Sequence, residues 1–196
     1  MVAIFTDVRK YPQNIMSILS IILLVPVAVI ALLLILAMFM KKTHYVRREI
    51  TINAPVRKVF EFIKLLKNQD KFNKWARTDP DRNWTYKGTD GTKGFMIAWS
   101  GNKSAGEGEK EIMELIENKR VATQIRFVRP MKISADVIME TRSLSPDETS
   151  LALINTGTMP YPMNLFIPMA EKKYPADMDE SLQLLKKILE QPVPGI

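Results

Sequence analysis

The 196-residue chain has no cysteine and a single histidine. The first absence removes disulfides, thiolate nucleophiles and cysteine-ligated zinc or iron–sulfur centres, while placing the chain in no particular redox compartment. The lone histidine, His44, sits a few residues past a long apolar segment and reads as an interfacial side chain rather than a catalytic base. No HExxH, GxSxG, P-loop or GxGxxG pattern occurs. Gly106 and Gly108 lack the third glycine and open a strand, not a helix. EF-hand spacing is also missing, which leaves carboxylates alone as the one open metal chemistry; neither a metal site nor a cofactor is expected.

Charge is absent from one whole stretch. Between Lys10 and Lys41 there is no charged side chain, and Ile15 to Met40 forms a charge-free run of 26 residues in which Ser17 and Ser20 are the polar exceptions. A helix needs ~20 residues to cross a bilayer core, so this run reads as a transmembrane helix. Pro26 is expected to kink it rather than break it, because lipid offers the freed backbone groups nothing better. A secretory signal would have a shorter apolar core and a small-residue cleavage site, whereas this run ends in Ala37-Met38-Phe39-Met40 followed by Lys41-Lys42. Lys41, Lys42, Arg47 and Arg48 outnumber Arg9 and Lys10, which by the positive-inside rule puts the following domain in the cytoplasm. The expected organisation is a short tail (1–14), a single transmembrane helix (15–40) and one soluble domain (41–196).

Without Arg9, Lys10 and Asp7 the remainder holds 26 basic and 20 acidic residues, a dispersed positive balance. This reads first as a solvated basic face and second as loose attraction to lipid headgroups. Lys64, Lys67, Lys71 and Lys74, interleaved with Phe72 and Trp75, superficially suggest nucleic-acid binding. A solvated helix face or membrane-facing rim accounts for them better in an anchored protein, and no nucleic-acid partner is expected.

The soluble part alternates as strands do. His44 to Ile52 is a first strand with Val46, Ile50 and Ile52 on one face, interrupted by Arg48. Asn53-Ala54-Pro55 makes a turn in which the asparagine can cap a helix carrying Val56, Val59, Phe60, Ile63 and Leu66. A polar stretch from Asn68 to Asp81, helix or loop, precedes six strands. These are Trp84–Lys87, Phe95–Ser100, Glu107–Ile116, Arg120–Arg129, Lys132–Leu144 and Leu151–Thr158. Their separators are turn-forming, as in Gly88-Thr89-Asp90-Gly91 and Ser145-Pro146-Asp147, so the strands form an antiparallel meander. Ile133, Ala135, Val137 and Met139 share an inward face; Glu107, Glu109 and Glu111 share an outward one; Asp136 points out. An apolar, proline-punctuated lead-in, Met159 to Phe166, precedes a closing helix with Met178, Leu182, Leu185 and Leu189. The fold class is α+β: a strongly curved antiparallel sheet with a long amphipathic helix across its mouth.

Several phrases carry a resemblance to a known superfamily. They are Ile50-Thr51-Ile52-Asn53-Ala54-Pro55-Val56 running into Val59-Phe60, Trp99-Ser100-Gly101-Asn102 followed by Gly106-Glu107-Gly108, and the final leucine-rich helix. Together, over roughly residues 44 to 191, they resemble the START-like, helix-grip superfamily, also termed SRPBCC or polyketide cyclase/dehydrase. The resemblance implies a curved seven-stranded sheet, two small helices and one long helix around a hydrophobic cavity. It also implies binding of lipids, sterols, polyketides or other apolar molecules, with catalysis in a minority of members.

The residues fit binding better than catalysis. Tyr86, Tyr161 and Glu109 are the least implausible catalytic groups, and no catalytic residue is assigned. Trp75, Tyr86, Met96, Trp99, Phe127, Met139, Met159, Met163 and Phe166 are the candidate cavity lining, since methionine and large aromatics suit an adaptable apolar wall. Ordinary core filling is the competing reading for each. The expected function is membrane-anchored binding of a small hydrophobic molecule or lipid; a cyclase- or dehydratase-type enzyme and a ligand-free scaffold are the alternatives. Oligomeric state is not legible.

Overall fold

A computed structural model describes residues 13–79 and 81–191, so residues 1–12 of the expected tail lie outside the described residues. The chain divides into two compact units, Met1–Met40 and Lys41–Ile196.

In the first unit, α1 spans Gln13–Phe39 with Pro26 inside it. Within it, Ser20–Phe39 has a mean hydropathy of 3.3, long and apolar enough to cross a membrane. Ile21, Leu24, Ile30, Leu32 and Ile35 are all exposed, so α1 is apolar around its circumference and shows no polar face.

The second unit has the α+β helix-grip architecture. Strands β1 (Thr43–Ile52), β2 (Asn83–Lys87), β3 (Met96–Ser100), β4 (Glu107–Ile116), β5 (Arg120–Arg129), β6 (Ile133–Ser145) and β7 (Glu148–Thr158) form one antiparallel sheet. Its order is β1-β7-β6-β5-β4-β3-β2, a meander whose last strand returns to pair with the first. Register shifts leave Val128 in β5, Met113 in β4 and Leu144 in β6 each as an extra residue, bulges of the kind that bend strands.

Two short helices, α2 (Val56–Ile63) and α3 (Leu66–Phe72), follow β1. Leu66, whose spacing suggests a continuation of α2, instead opens α3. The carboxylate of Asp90, from the β2–β3 turn, accepts the backbone N–H groups of Leu66 (2.8 Å) and Lys67 (3.2 Å) and so caps a new helix there. Asn53 does not cap α2. Pro55 occupies that position without a side-chain bond, and the Asn53 N–H donates to Glu190 at 2.6 Å.

The closing helix α4 covers Ile167–Glu190, with a 3₁₀ turn over Met163–Phe166 before it. Its buried face presents Met178, Leu182, Leu185 and Leu189 to a core built from Val46, Ile52, Val59, Phe60, Ile63, Leu151 and Leu153. Fully burying each such side chain contributes ~1.5–3 kcal/mol. Arg48, the polar interruption on the inner face of β1, reaches α4 and holds Asp179 through paired bonds of 2.7 and 2.6 Å.

Leu185 is fully buried in this seam, so Leu185→Ala is expected to destabilise the domain by ~2–5 kcal/mol. Denaturation followed by tryptophan fluorescence checks this, because Trp75, Trp84 and Trp99 all lie in the second unit.

Candidate functional site

Antiparallel pairing puts one residue from each of several strands in a row on the inner face. His44, Gly157, Ala135, Ile125, Lys110 and Ile97 are cross-strand partners from β1 to β3. Gly157 makes room for the His44 ring, whose Cε1 would lie 2.9 Å from a Cβ there, and Ala135 beside it leaves the floor of the sheet without bulk. A cavity of about 310 Å³ occupies that space. Its wall includes Phe72, Trp75, Trp84, Trp99, Ile125, Phe127, Val137, Met139, Leu153, Met159 and Met178 and is mainly apolar.

A second row sets the aromatic end. The Trp99 indole lies over Gly108, donates from Nε1 to the Ala105 carbonyl at 3.0 Å, and meets Phe127 edge-on at 5.6 Å. The Gly106-Glu107-Gly108 phrase thus has a physical explanation. Gly106 holds a φ of +66°, and a Cβ on Gly108 would come within 2.8 Å of the Trp99 ring and 2.6 Å of the Arg126 carbonyl.

Of the residues expected in the lining, Trp75, Trp99, Phe127, Met139 and Met159 are brought together around this cavity. Tyr86 is placed outside it, at the sheet edge, stacked on Trp84 with the Lys67 ammonium 4.6 Å from its ring centroid. Met96, one residue out of phase with Ile97, faces the other side of β3. Met163 packs with Met159, Ile167 and Ala170, and Phe166 is exposed. Tyr161 is exposed, and Glu109 binds Arg126 on the outer face at 2.5 Å.

Two polar groups interrupt the apolar wall, and neither was expected there. The first surrounds Lys110, whose ammonium donates to Gln69 Oε1. Gln69 is itself held by a bond from Nε2 to the Ile63 carbonyl at 2.7 Å. Burial pushes the Lys110 ammonium down to about 8, against an upward pull from Asp70. Burial raises Asp70 above its ordinary value, with Lys110 and Arg82 opposing the rise. Burial also lowers Arg82, whose guanidinium lies 4.0 Å from the Trp84 ring centroid and donates to the Ala76 carbonyl at 2.7 Å.

The second group centres on His44, which is a buried cavity residue and not the interfacial side chain its position suggests. With the Asn155 amide so oriented, Nε2 donates to Oδ1 at 2.8 Å, and Tyr174 packs edge-on against the imidazole at 5.6 Å. The Nδ1 atom is buried with no partner among the described residues. Lys110 and His44 lie on one row four strand spacings apart, about 19 Å along the sheet.

The basic residues that the sequence sets around Phe72 and Trp75 are largely occupied. Lys64 pairs with Glu61, Lys74 pairs with Asp177 and Glu180, and Lys71 bonds Asn68.

No family model matches the chain, and no curated protein matches it in sequence. Solved structures do match. Norcoclaurine synthase from Thalictrum flavum, in complex with dopamine and hydroxybenzaldehyde, superimposes with a TM-score of 0.57 at 11% identity, covering 77% of this chain and 89% of that one. A Chromobacterium violaceum protein gives 0.54 at 14% identity over 76% and 99% of the two chains. A protein from Arthrobacter aurescens gives 0.54 at 13% identity over 76% and 87%. The chain therefore shares the helix-grip, START-like fold with these proteins.

Two outcomes test the site. Gly108→Ala is expected to destabilise the domain by ~1–3 kcal/mol and to shift the tryptophan emission as Trp99 is displaced. Lys110 provides the second. Between pH 8 and its ordinary value of 10.5, the unfolded chain holds a proton that the folded chain has released. Wild-type stability relative to Lys110→Met should thus rise across that window, by up to ~3 kcal/mol in total, and be lowest below it. Urea denaturation of both proteins at pH 7 and pH 9.5 measures the change; parallel curves would contradict the burial of the ammonium.

Proposed function

We propose that this helix-grip domain binds a small, mainly apolar molecule carrying at least one polar group, and that α1 tethers it to a membrane with the domain on the cytoplasmic side. The observation that carries the reading is the cavity between sheet and α4, with its aromatic and methionine wall and with Lys110 and His44 set into it. Its volume lies at the small end of the ~300–1,000 Å³ range for small-molecule sites, which favours one compact molecule or a single chain over a complete diacyl lipid. Trp75, Trp99, Phe127, Met139 and Met159 are the proposed apolar contacts. A bilayer is a natural partner, because an apolar ligand partitions into it and a tethered domain meets the ligand there. The tether rests on the length and hydropathy of α1, and the orientation on the basic residues after it.

A second reading is supported by Lys110 and Asp70. An amine of lowered pKa that feels the charge of a carboxyl group, both lining an apolar cavity, is suited to proton transfer on a bound molecule, as a cyclase or dehydratase would require. That the norcoclaurine synthase structure holds two small aromatic molecules shows the fold compatible with such occupants.

The test is organic extraction of the purified full chain and mass spectrometry of what is released. Wild type is expected to yield a stoichiometric small molecule, and Ala135→Trp, which fills the cavity floor, is expected to lose it. The membrane-associated background is the same in both proteins, so equal extracts would refute the cavity as the binding site. Lys110→Met separates the two readings. A binder retains the same molecule at reduced occupancy, whereas a dehydratase variant accumulates one heavier by a water.

A further inference from the structure

Antiparallel pairing defines one end of the sheet in the second unit. Thr43 pairs with Thr158, Thr158 with Ser134, and Phe127 with Ile133, so the start of β1, the β5–β6 turn and the segment after β7 share that end. Met159 N–H donates to the Lys42 carbonyl at 2.8 Å, fixing the lead-in to α4 beside the entry of the chain.

Two properties coincide on these segments. The first is exposed apolar surface. Val128 at the end of β5, Met131 on the β5–β6 turn, and Tyr161, Phe166 and Met169 on the lead-in and first turn of α4 are all exposed, Met169 by 64%. The second is charge. Lys41 and Lys42 before β1, Arg129 ending β5, Lys132 before β6, and Lys172 and Lys173 in the second turn of α4 lie on or next to these segments. Lys41 holds Glu171 at 2.7 Å, and Arg129 holds Glu107 at 2.6 Å. Lys42, Lys132, Lys172 and Lys173 have no ion pair among the described residues.

Apolar side chains fringed by unpaired lysines match an anionic bilayer surface, where apolar groups enter the interface and ammonium groups meet lipid phosphates and carboxylates. Chain connectivity supplies the occupant. Only residues 40–42 separate the end of α1 from β1, a span of at most ~3.6 Å per residue, which keeps this end of the domain close to any membrane that α1 crosses. The cavity also reaches these segments, since Ile133, Ser134, Thr158 and Met159 are part of its wall.

We infer that the end of the sheet formed by the β5–β6 turn and the β7–α4 lead-in docks on an anionic lipid surface, placing one side of the ligand cavity at the membrane interface. The inference rests on α1 being a membrane span. It explains how a ligand moves between bilayer and cavity without crossing water.

The native chain has no cysteine, so an introduced one is the sole labelling site. Full-length Met131→Cys, Met169→Cys, Leu144→Cys and Met38→Cys are labelled with an environment-sensitive fluorophore. Each is reconstituted into phosphatidylcholine vesicles with or without phosphatidylserine, containing nitroxide lipids. Leu144 is exposed at the opposite end of β6 and reports non-specific proximity; Met38 lies in α1 and reports the span. Docking predicts headgroup-nitroxide quenching at Met131 and Met169 that strengthens with phosphatidylserine and is missing at Leu144. The combined change Lys132→Glu, Lys172→Glu, Lys173→Glu should abolish that quenching while leaving the circular dichroism spectrum unchanged. Quenching no stronger at Met131 and Met169 than at Leu144, with Met38 quenched by acyl-chain nitroxide, overturns docking and leaves the span intact. Quenching indifferent to phosphatidylserine overturns the anionic specificity. An unquenched Met38 label overturns the span, and docking with it.

Discussion

Everything else in the domain depends on how α4 lies on the sheet. Met178, Leu182, Leu185 and Leu189 pack into a core shared with Val46, Ile52, Leu151 and Leu153, and this seam closes one half of the interior. Along the other half the inner row has Ala135 where bulk would be needed to complete the packing, and Gly157 beside it is taken up by the His44 ring. A protein interior fills space to crystal-like density where side chains allow it. The cavity is the consequence of a helix held at a distance set by leucines at one end over a floor made of small residues at the other. Bulges in β4, β5 and β6 serve the same geometry by bending the strands around the helix.

Strand assignments were legible because the sheet is half-buried. A face that alternates between core and solvent writes its period into the sequence, and the meander order followed from the short turns. Helix boundaries were less legible. Leu66 fits the periodicity of α2, yet it starts α3 because a carboxylate 24 positions away, on Asp90, caps it there. The cavity lining was legible only in part. Trp99, Phe127 and Met139 sit on strands, where parity fixes their direction. Phe166 and Met163 lie in a segment without strand register, and nothing in their spacing says which way they turn. Tyr86 has inward parity, but the wall ends at Trp84 two residues earlier on the same edge strand, and Tyr86 stacks on it from outside the cavity.

Lys110 could have been found. Placing Glu107, Glu109 and Glu111 on the outer face of β4 puts Gly108, Lys110 and Ile112 on the inner one. A lysine at inward parity is the most informative residue in that strand. His44 could not, because the same parity argument had no weight for a residue so close to an apolar run. Its burial comes from Asn155 and Tyr174, both more than a hundred residues downstream.

Lys110 also bears on how the cavity works. An ammonium taken out of water costs several kcal/mol unless partners replace its hydration, and its depressed pKa is the same cost expressed as proton affinity. An ammonium has three donors, and Gln69 accepts one of them while Asp70 contributes through charge. A methionine or leucine at this position would pack against Ile97 and Ile125 without that penalty. A domain that only needed a filled core would be more stable with such a residue. Under the proposed function the lysine has a use: it meets a molecule that brings an acceptor to the ammonium and buries the rest of itself against the aromatic wall. At the far end of the same row, His44 Nδ1 offers a second polar contact, so a molecule long enough to meet both would be held in one orientation. Orientation of this kind serves a carrier through specificity. It serves an enzyme through placement of a reacting atom beside Lys110 and Asp70.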